Sequence, residues 1–137
     1  MLLYAFRDDA PEHARYRQWL TDVLRGDEPV GLSDLVLSGF LRVVTHRGIF
    51  RPPTPPNEAL AFVDALVAQP STALIRPGAR HWEVFRNLYR ESGARGNLVA
   101  DAYLAALAIE HGCEFMTTDR DFARFPGLRW RHPLAAP

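Results

Sequence analysis

Short apolar segments alternate with longer segments of helical periodicity along this chain, and this alternation limits the folds available to it. The short segments are rich in apolar residues and bounded by turn residues, which is typical of buried strands. We predict strands at 29–32, 72–75, 113–117 and 128–131. Because helical segments separate most of these strands, they should pair through βαβ units, which predicts an α/β fold with a mostly parallel sheet.

The intervening segments carry apolar residues at helical spacing. We predict helices at about 9–25, 33–46, 58–68, 80–92 and 97–112, with a short helical turn at 122–125. Ser33 is the candidate N-cap of the second helix. In the fourth helix, Trp82, Phe85 and Tyr89 share one face. Such an aromatic stripe is more often part of a core than a platform for stacked bases.

Length and composition indicate one soluble domain. The chain has 137 residues, the usual size of one domain, and its formal net charge is +0, so an anionic partner would need a local basic patch. All 16 basic residues are Arg, and the single Cys113 excludes an internal disulfide. The apolar start at 1–6 is too short for a signal peptide, and no apolar run approaches the ~20 residues that span a membrane. We expect a cytoplasmic location.

Asp101 is the first of three aspartates that mark a candidate site. It shares a helical face with Leu98, Leu104 and Ala105, so its carboxylate is directed towards packing partners. A buried carboxylate is costly unless it is paired. The residue therefore calls for a partner, either a cation or a donor of hydrogen bonds.

Asp119 and Asp121 follow the strand predicted at 113–117. In open parallel sheets ligands gather at the carboxyl ends of the strands, so Asp119 lies where a ligand site is expected. Clustered carboxylates repel one another unless a divalent cation lies between them. A metal-dependent reaction is therefore the first hypothesis, with the hydroxyls of Thr117 and Thr118 beside the acids.

Each acid also has a structural explanation. The helix dipole favours an aspartate near a helix N-terminus by ~0.3–1 kcal/mol, which can account for Asp101 without any function. Asp119 or Asp121 can cap the turn at 122–125. The five histidines have no ligand-like spacing, and no Gly-rich phosphate loop is recognisable.

Two segments carry a resemblance to a known family. GNLVADAYLAALAIEHG at 96–112 and TTDRDFARFPGLRW at 117–130 closely resemble the carboxy-terminal half of PIN-domain ribonucleases. The chain looks most like the VapC toxins of bacterial toxin–antitoxin pairs, in the branch abundant in mycobacteria. The supporting segments, which extend the resemblance over nearly the whole chain, are 2–6, 9–13, 35–45 and 81–82.

The resemblance implies a fold and a chemistry. The expected fold is a three-layer α/β/α sandwich with a central, mostly parallel sheet, forming a single PIN domain over 1–137. Members of the family use acidic residues to hold Mg²⁺ or Mn²⁺ and cleave RNA. Asp101 and Asp119 correspond to metal-binding acids, and Asp121 corresponds to a further, supporting acid, so these three are the implied catalytic residues. Thr117 or Thr118 corresponds to the neighbouring hydroxyl.

The resemblance also implies partners. RNA would be held by arginines near the acids, of which Arg120 and Arg124 are the nearest in sequence. A cognate antitoxin and a second copy of the chain are expected to bind apolar helix faces. The helix predicted at 58–68 is the best candidate because apolar residues cover much of its circumference, namely Leu60, Phe62, Val63, Leu66 and Val67.

Two departures from the family pattern bear on activity. The family opens with a strand that ends in Asp-x-Asn, and 1–3 in this sequence resembles a segment beyond that motif. We expect a start codon assigned too late, and the rival expectation is a truncated, inactive toxin. Without that strand, the chain as written should be poorly soluble or partly unfolded. The second departure is milder: Gly39 stands where many PIN domains carry Glu.

Three functions compete at this level. The first is a Mg²⁺-dependent endoribonuclease toxin of a type II toxin–antitoxin system. The second is a catalytically impaired PIN remnant that only binds antitoxin or RNA. The third is another metal-dependent phosphoesterase with a similar acidic site.

Overall fold

The computed structural model describes residues 1–136, and the chain divides into two compact units, Met1–Ile75 and a second unit that begins at Arg76. Helices and short strands alternate in both. Every strand pair in the described residues is parallel, as the sequence predicts. Within residues 1–136, none of the helices combines the length and hydrophobicity that a bilayer-spanning segment requires.

The first unit has four helices and two strands. They are α1 (Leu2–Phe6), α2 (His13–Arg25), β1 (Val30–Leu32), α3 (Asp34–Val44), α4 (Pro56–Val67) and β2 (Thr72–Leu74). In the β1–β2 ladder, Val30 is opposite Thr72 and Leu32 is opposite Leu74. The helices pack through an aromatic cluster of Phe6, Phe40 and Phe62, whose ring centroids lie 4.7–5.5 Å apart.

Local chemistry explains where these helices begin. The Ser33 hydroxyl accepts a hydrogen bond from the Leu35 N–H at 3.2 Å, so the predicted cap of α3 is confirmed. α2 begins at His13 rather than near residue 9, because Glu12 has the left-handed backbone angles φ 54° and ψ 26°. α4 begins at Pro56, where the missing N–H of proline leaves no donor unpaired.

The second unit has two long helices, two strands and a 3₁₀ helix. They are α5 (His81–Ser92), α6 (Asn97–Glu110), β3 (Phe115–Met116), the 3₁₀ helix (Arg120–Arg124) and β4 (Trp130–Arg131). β3 and β4 pair with Phe115 opposite Trp130 and Met116 opposite Arg131. Both strands are shorter than predicted, because only these residues have a ladder partner.

Alanines of α6 bring the rest of this unit close to its axis. Ala102, Ala105 and Ala106 are all 0% exposed and belong to the core of the unit. Phe122 of the 3₁₀ helix lies in the same core, with its ring centroid 4.6 Å from that of Phe115. This packing holds the segment after β3 in the same core as α6. Asp101 lies on α6, and Asp119 and Asp121 lie on that segment.

Two expectations about this architecture are corrected. The strands of residues 1–136 form two separate two-stranded sheets, β1–β2 and β3–β4, instead of one continuous sheet. On α5, Leu88 is buried at 3% exposure, but Trp82 and Tyr89 are exposed. The interpretation of that aromatic stripe as core is therefore wrong for its two outer members.

Candidate acidic active site

Asp101 is the fifth residue of α6 and is half-buried. One and two turns further along the same face lie Ala105 and Ala108, which are buried, so the carboxylate emerges beside small packed side chains. Among residues 1–136, no side chain or backbone group donates a hydrogen bond to it. The carboxylate is therefore partly desolvated and has no donor to compensate for the lost water.

The charge environment of Asp101 is set by the segment after β3. Burial raises the pKa of Asp101 above its ordinary value, and the negative charges of Asp119 and Asp121 raise it further. The positive charge of Arg124 acts in the opposite direction. The fold thus brings the three acids into one electrostatic neighbourhood, with one arginine at its edge.

Asp119 is held by a local hydrogen-bond pattern. Its Oδ1 accepts the Asp121 N–H at 2.8 Å, which makes it the N-cap of the 3₁₀ helix. The Asp119 N–H donates to the Thr117 hydroxyl oxygen at 3.1 Å. One carboxylate oxygen is therefore occupied by the cap, and Thr117 fixes the backbone that carries it.

Asp121 and Arg124 form an exposed pair one turn apart. Asp121 Oδ1 lies 3.8 Å from an Arg124 guanidinium nitrogen, and Arg124 Nε donates to the Asp121 carbonyl at 3.2 Å. Arg124 is thereby kept near the acids. Arg120 and Thr118, by contrast, have no side-chain hydrogen bond or ion pair within residues 1–136, and Arg120 is exposed.

The donor set suits a hydrated hard cation better than an enclosed one. In the described part of the chain, no three side chains of His, Cys, Asp or Glu are grouped so that they could hold a metal ion. Mg²⁺ retains several waters and is commonly bound through one or two carboxylates plus substrate phosphate oxygens. Asp101 and Asp119 fit that mode, since Asp101 has no hydrogen-bond donor and Asp119 uses only one oxygen in its cap.

The structure also distinguishes residues whose roles the sequence could not tell apart. Thr117 contacts the Asp119 backbone whereas Thr118 has no such contact, although the two hydroxyls are adjacent in sequence. Asp119 caps the 3₁₀ helix and Asp121 does not, although both precede Phe122 closely. Within residues 1–136, no histidine joins two of the acids in a group that could hold a metal ion. His81, for example, bonds the Tyr103 carbonyl at 3.0 Å.

Comparison with known proteins gives this geometry a family. A family model described as the PIN domain matches residues 1–128. Ribonuclease VapC43 of Mycobacterium tuberculosis is 52% identical over 134 residues, which is 98% of this chain and 91% of that protein. Ribonuclease VapC31 of the same species is 44% identical over 133 residues, which is 97% of this chain and 94% of that protein. The chain belongs to the PIN-domain family, within its VapC group.

Solved structures support the fold independently. The structure of VapBC-1 from nontypeable Haemophilus influenzae matches with a TM-score of 0.69 at 13% identity, over 98% of this chain and 93% of that one. The structure of VapBC2 from Rickettsia felis bound to a promoter DNA fragment matches with a TM-score of 0.65 at 17% identity, over 95% and 91%. The predicted family and the predicted PIN-like α/β fold are both confirmed.

Proposed function

We propose that this protein is an endoribonuclease, the toxin component of a type II toxin–antitoxin system. The observation that carries the proposal is the coupling of Asp101 to Asp119 and Asp121 in a chain that is 52% identical to a protein named a ribonuclease. RNA phosphodiesters are the substrate class. A single PIN domain and a cytoplasmic location complete the proposal.

Asp101 and Asp119 are the metal-binding residues of this proposal, and Mg²⁺ or Mn²⁺ is the ion. When bound, the ion supplies a water of lowered pKa and offsets the charge of the reacting phosphate. The cap from Asp119 to the Asp121 N–H keeps one carboxylate oriented while the other oxygen remains available. Burial is the main cause that raises the pKa of Asp101, and a cation beside it would relieve the repulsion from Asp119 and Asp121 that raises this pKa further.

The remaining residues of the site have supporting roles. Asp121 holds Arg124 near the acids through the 3.8 Å ion pair and the bond to its carbonyl. Arg124, with Arg120 beside it, provides guanidinium groups for substrate phosphates, which arginine contacts through two parallel hydrogen bonds. Thr117 positions the Asp119 backbone, and Thr118 presents a second hydroxyl in the same segment.

A cognate antitoxin and a second copy of the chain are the proposed protein partners. In the first unit, α4 leaves Leu60 and Val67 exposed at 49% and 39%. Val63 and Leu66 are buried, so the apolar face open to a partner is narrower than the sequence alone predicts. We name Leu60 and Val67 the α4 stripe and propose it as the contact surface.

A second candidate function is favoured by one observation. Residues 1–136 contain no group of three metal-ligating side chains, which fits a PIN domain that binds RNA or antitoxin without cleaving RNA. The two candidates differ in a direct assay. Cleavage of RNA by the purified chain with added Mg²⁺ supports the nuclease, whereas RNA binding without cleavage supports the binding module. Hydrolysis of a small phosphate ester but not of RNA would instead support another phosphoesterase.

The decisive variant is Asp101→Asn, which keeps the side-chain shape and removes the charge. We expect it to remain folded and to lose RNA cleavage by a factor of at least about 100, since outer and inner metal ligands act together. Asp64→Asn, an exposed aspartate of helix α4, is the matched control and should cleave at the wild-type rate. Cleavage by Asp101→Asn at the wild-type rate, with Mg²⁺ as the added metal, contradicts the assignment.

A further inference from the structure

The outer face of α5 carries an aromatic stripe that the proposed active site does not use. Trp82, Phe85 and Tyr89 follow one another at helical spacing, with ring centroids 5.5 Å and 6.2 Å apart and interplanar angles of 34° and 36°. Phe85 is half-buried, but Trp82 is 66% exposed and Tyr89 is 49% exposed. The three rings form a row along the helix. The central ring, Phe85, is partly held by packing, whereas the rings of Trp82 and Tyr89 are exposed to solvent.

Two arginines run beside this stripe. Arg86 and Arg90 are one turn apart and occupy the positions next to Trp82 and Tyr89 around the helix. Both are exposed, and neither forms an ion pair with any residue of 1–136. Glu83 and Glu91 are the two acids of this helix, and neither forms an ion pair with Arg86 or Arg90. The face therefore combines free aromatic rings with free guanidinium groups.

The same side chains enclose a shallow concavity of about 480 Å³. Val99 of α6 completes its lining, together with Trp82, Phe85, Arg86, Tyr89 and Arg90. Apolar surface makes up most of the concavity, and its charged rim is formed by the two arginines. A ligand that fits must present a flat apolar face and a negative charge close to each other.

A single-stranded nucleic acid has that chemistry at every nucleotide. Its bases stack on aromatic rings without sequence preference, and its phosphates accept the paired hydrogen bonds of guanidinium groups. The net charge of the chain is +0, so phosphate contacts depend on local groups such as Arg86 and Arg90 and not on a general positive charge. A protein partner would have to bury two unpaired guanidiniums, and that requires acids placed opposite both.

We infer that α5 is a binding platform for single-stranded RNA, in which bases stack on Trp82 and Tyr89 while Arg86 and Arg90 contact the adjacent phosphates. The inference rests on the proposed ribonuclease function, because it names where the substrate is held away from the acids. Val99 and Asp101 are two residues apart on α6 and so lie on nearly opposite sides of a helix about 10–12 Å wide. An RNA strand that contacts both the platform and Asp101 must therefore pass around α6.

The test is RNA binding measured without cleavage. A fluorescein-labelled 12-nucleotide RNA of mixed sequence is titrated with the purified full chain in EDTA, and anisotropy gives the Kd. We expect Trp82→Ala and Tyr89→Ala each to weaken binding about 5- to 150-fold, the equivalent of ~1–3 kcal/mol per stacked base. Trp82→Phe should retain most of the affinity, because its ring can still stack.

Matched controls separate the platform from general surface effects. Leu35→Ala removes an apolar side chain of comparable exposure, 42%, and should leave the Kd unchanged. Arg86→Gln and Arg90→Gln should each weaken binding and reduce the slope of log Kd against log salt by ~0.7, the value for one phosphate contact on a single strand. Arg42→Gln, an exposed arginine of α3, should change neither quantity.

The possible outcomes distinguish failure of the α5 platform from failure of the proposed nuclease function. Unchanged RNA affinity in the Trp82 and Tyr89 variants, together with lost cleavage in Asp101→Asn, overturns the platform and leaves the nuclease proposal standing. A reduced molecular mass of Trp82→Ala in light scattering, with unchanged RNA affinity, overturns the platform in favour of a protein contact. If the wild-type chain neither binds nor cleaves RNA, both proposals fail.

Discussion

Asp119 combines two roles that substitutions can separate. Its Oδ1 caps the 3₁₀ helix, and its charge belongs to the proposed metal site. Asp119→Asn keeps an oxygen that can accept the Asp121 N–H but removes the charge, so it should melt close to the wild type and lose Mg²⁺-dependent cleavage. Asp119→Ala removes both, and should in addition lose ~0.5–2 kcal/mol of unfolding free energy.

Urea denaturation and RNA cleavage together test this separation. The Asn variant is the control for the cap, since it differs from the Ala variant mainly in retaining the acceptor. Equal stability of the two variants would mean that the cap contributes nothing measurable. Full activity of the Asn variant would mean that the charge of Asp119 is not required for cleavage.

For single residues, the sequence predicts which side chains lie next to one another better than it predicts what each side chain does. Helical spacing correctly predicts that Asp101 emerges beside packed alanines, because α6 has regular geometry throughout. It does not predict which aspartate caps the 3₁₀ helix, because both residues precede Phe122 at short range. The choice depends on the extended backbone of Asp119, with φ −90° and ψ 113°, which lets its carboxylate reach the Asp121 N–H.

Two glycines, one inside a helix and one just before a helix, should change the unfolding free energy in opposite directions when replaced by alanine. Gly39 lies within α3, and an added Cβ would meet nothing within 4 Å. Gly39→Ala should therefore raise the unfolding free energy by ~0.5–1 kcal/mol. Gly96 precedes α6 with φ 53° and ψ −123°, a conformation that side chains oppose. Gly96→Ala should therefore lower the unfolding free energy by ~1–3 kcal/mol.

Urea midpoints of the two variants provide the measurement, and each variant serves as the control for the other. A shift of both midpoints in the same direction would contradict the conformational explanation. Gly39 also stands where many PIN domains carry Glu. The open space around its Cβ position shows that α3 can accept a side chain there without displacing a neighbour.

Glu110 links the end of α6 to the segment that begins α5. Its carboxylate accepts the Gly78 N–H at 2.8 Å and the Arg80 N–H at 3.0 Å. The hydrogen bond from Gly78 is the largest cause that lowers the pKa of Glu110 below its ordinary value of 4.5, and the bond from Arg80 adds to it. These bonds favour the charged form, so the folded state releases this proton more readily than the unfolded state.

The sign of the pH dependence follows from that lowered pKa. A carboxyl group with a depressed folded pKa contributes stability above its unfolded pKa, near 4.5, and loses it as the pH falls through the folded value. Glu110→Gln should therefore lower the Tm by a few degrees at pH 7, and the difference from the wild type should shrink below pH 4.5. A Tm difference that stays constant between pH 7 and pH 3.5 would contradict the mechanism.

The ends of elements were less predictable than their existence. Ser33 has a side chain that caps a helix wherever the backbone allows it, and its prediction is confirmed. The start of α2 could not be read from its sequence, because the decisive feature is the left-handed conformation of Glu12. The observed strands have two or three residues, fewer than predicted. A strand ends where its ladder partner ends, and that partner is not adjacent in sequence.

At the scale of the whole molecule, pattern alone predicted the parallel α/β class and the family resemblance predicted the PIN fold, but the sheet pairing was predicted by neither. Residues 30–32 pair with 72–74, and 115–116 pair with 130–131, which are contacts across long stretches of sequence. Hydrophobic periodicity is a local property, so it does not encode which strands become neighbours. For the same reason it could not distinguish the exposed aromatic side chains of α5 from core.

Two neighbouring residues of α4 should give opposite results when replaced by the same charge. Leu60 is 49% exposed and belongs to the α4 stripe, so Leu60→Asp should leave the fold intact and disrupt the proposed homodimer. The ring of Phe62 lies 4.7 Å from that of Phe6 and 5.3 Å from that of Phe40. Phe62→Asp would place a carboxylate in this aromatic cluster, where an unpaired charge is costly.

The cost at Phe62 is large relative to the stability of a domain. Removing a fully buried phenylalanine side chain costs ~3–5 kcal/mol, against a total of ~5–15 kcal/mol. Phe62 is half-buried, so its loss costs part of that amount, and the carboxylate set against Phe6 and Phe40 adds to it. Phe62→Asp should therefore strongly destabilise the protein, which thermal melts followed by circular dichroism would detect, and it cannot serve as a probe of the interface. Leu60→Asp should retain the wild-type spectrum and have half the wild-type mass in light scattering. A wild-type monomer, or an unchanged mass of Leu60→Asp, would exclude the α4 stripe as a dimer contact.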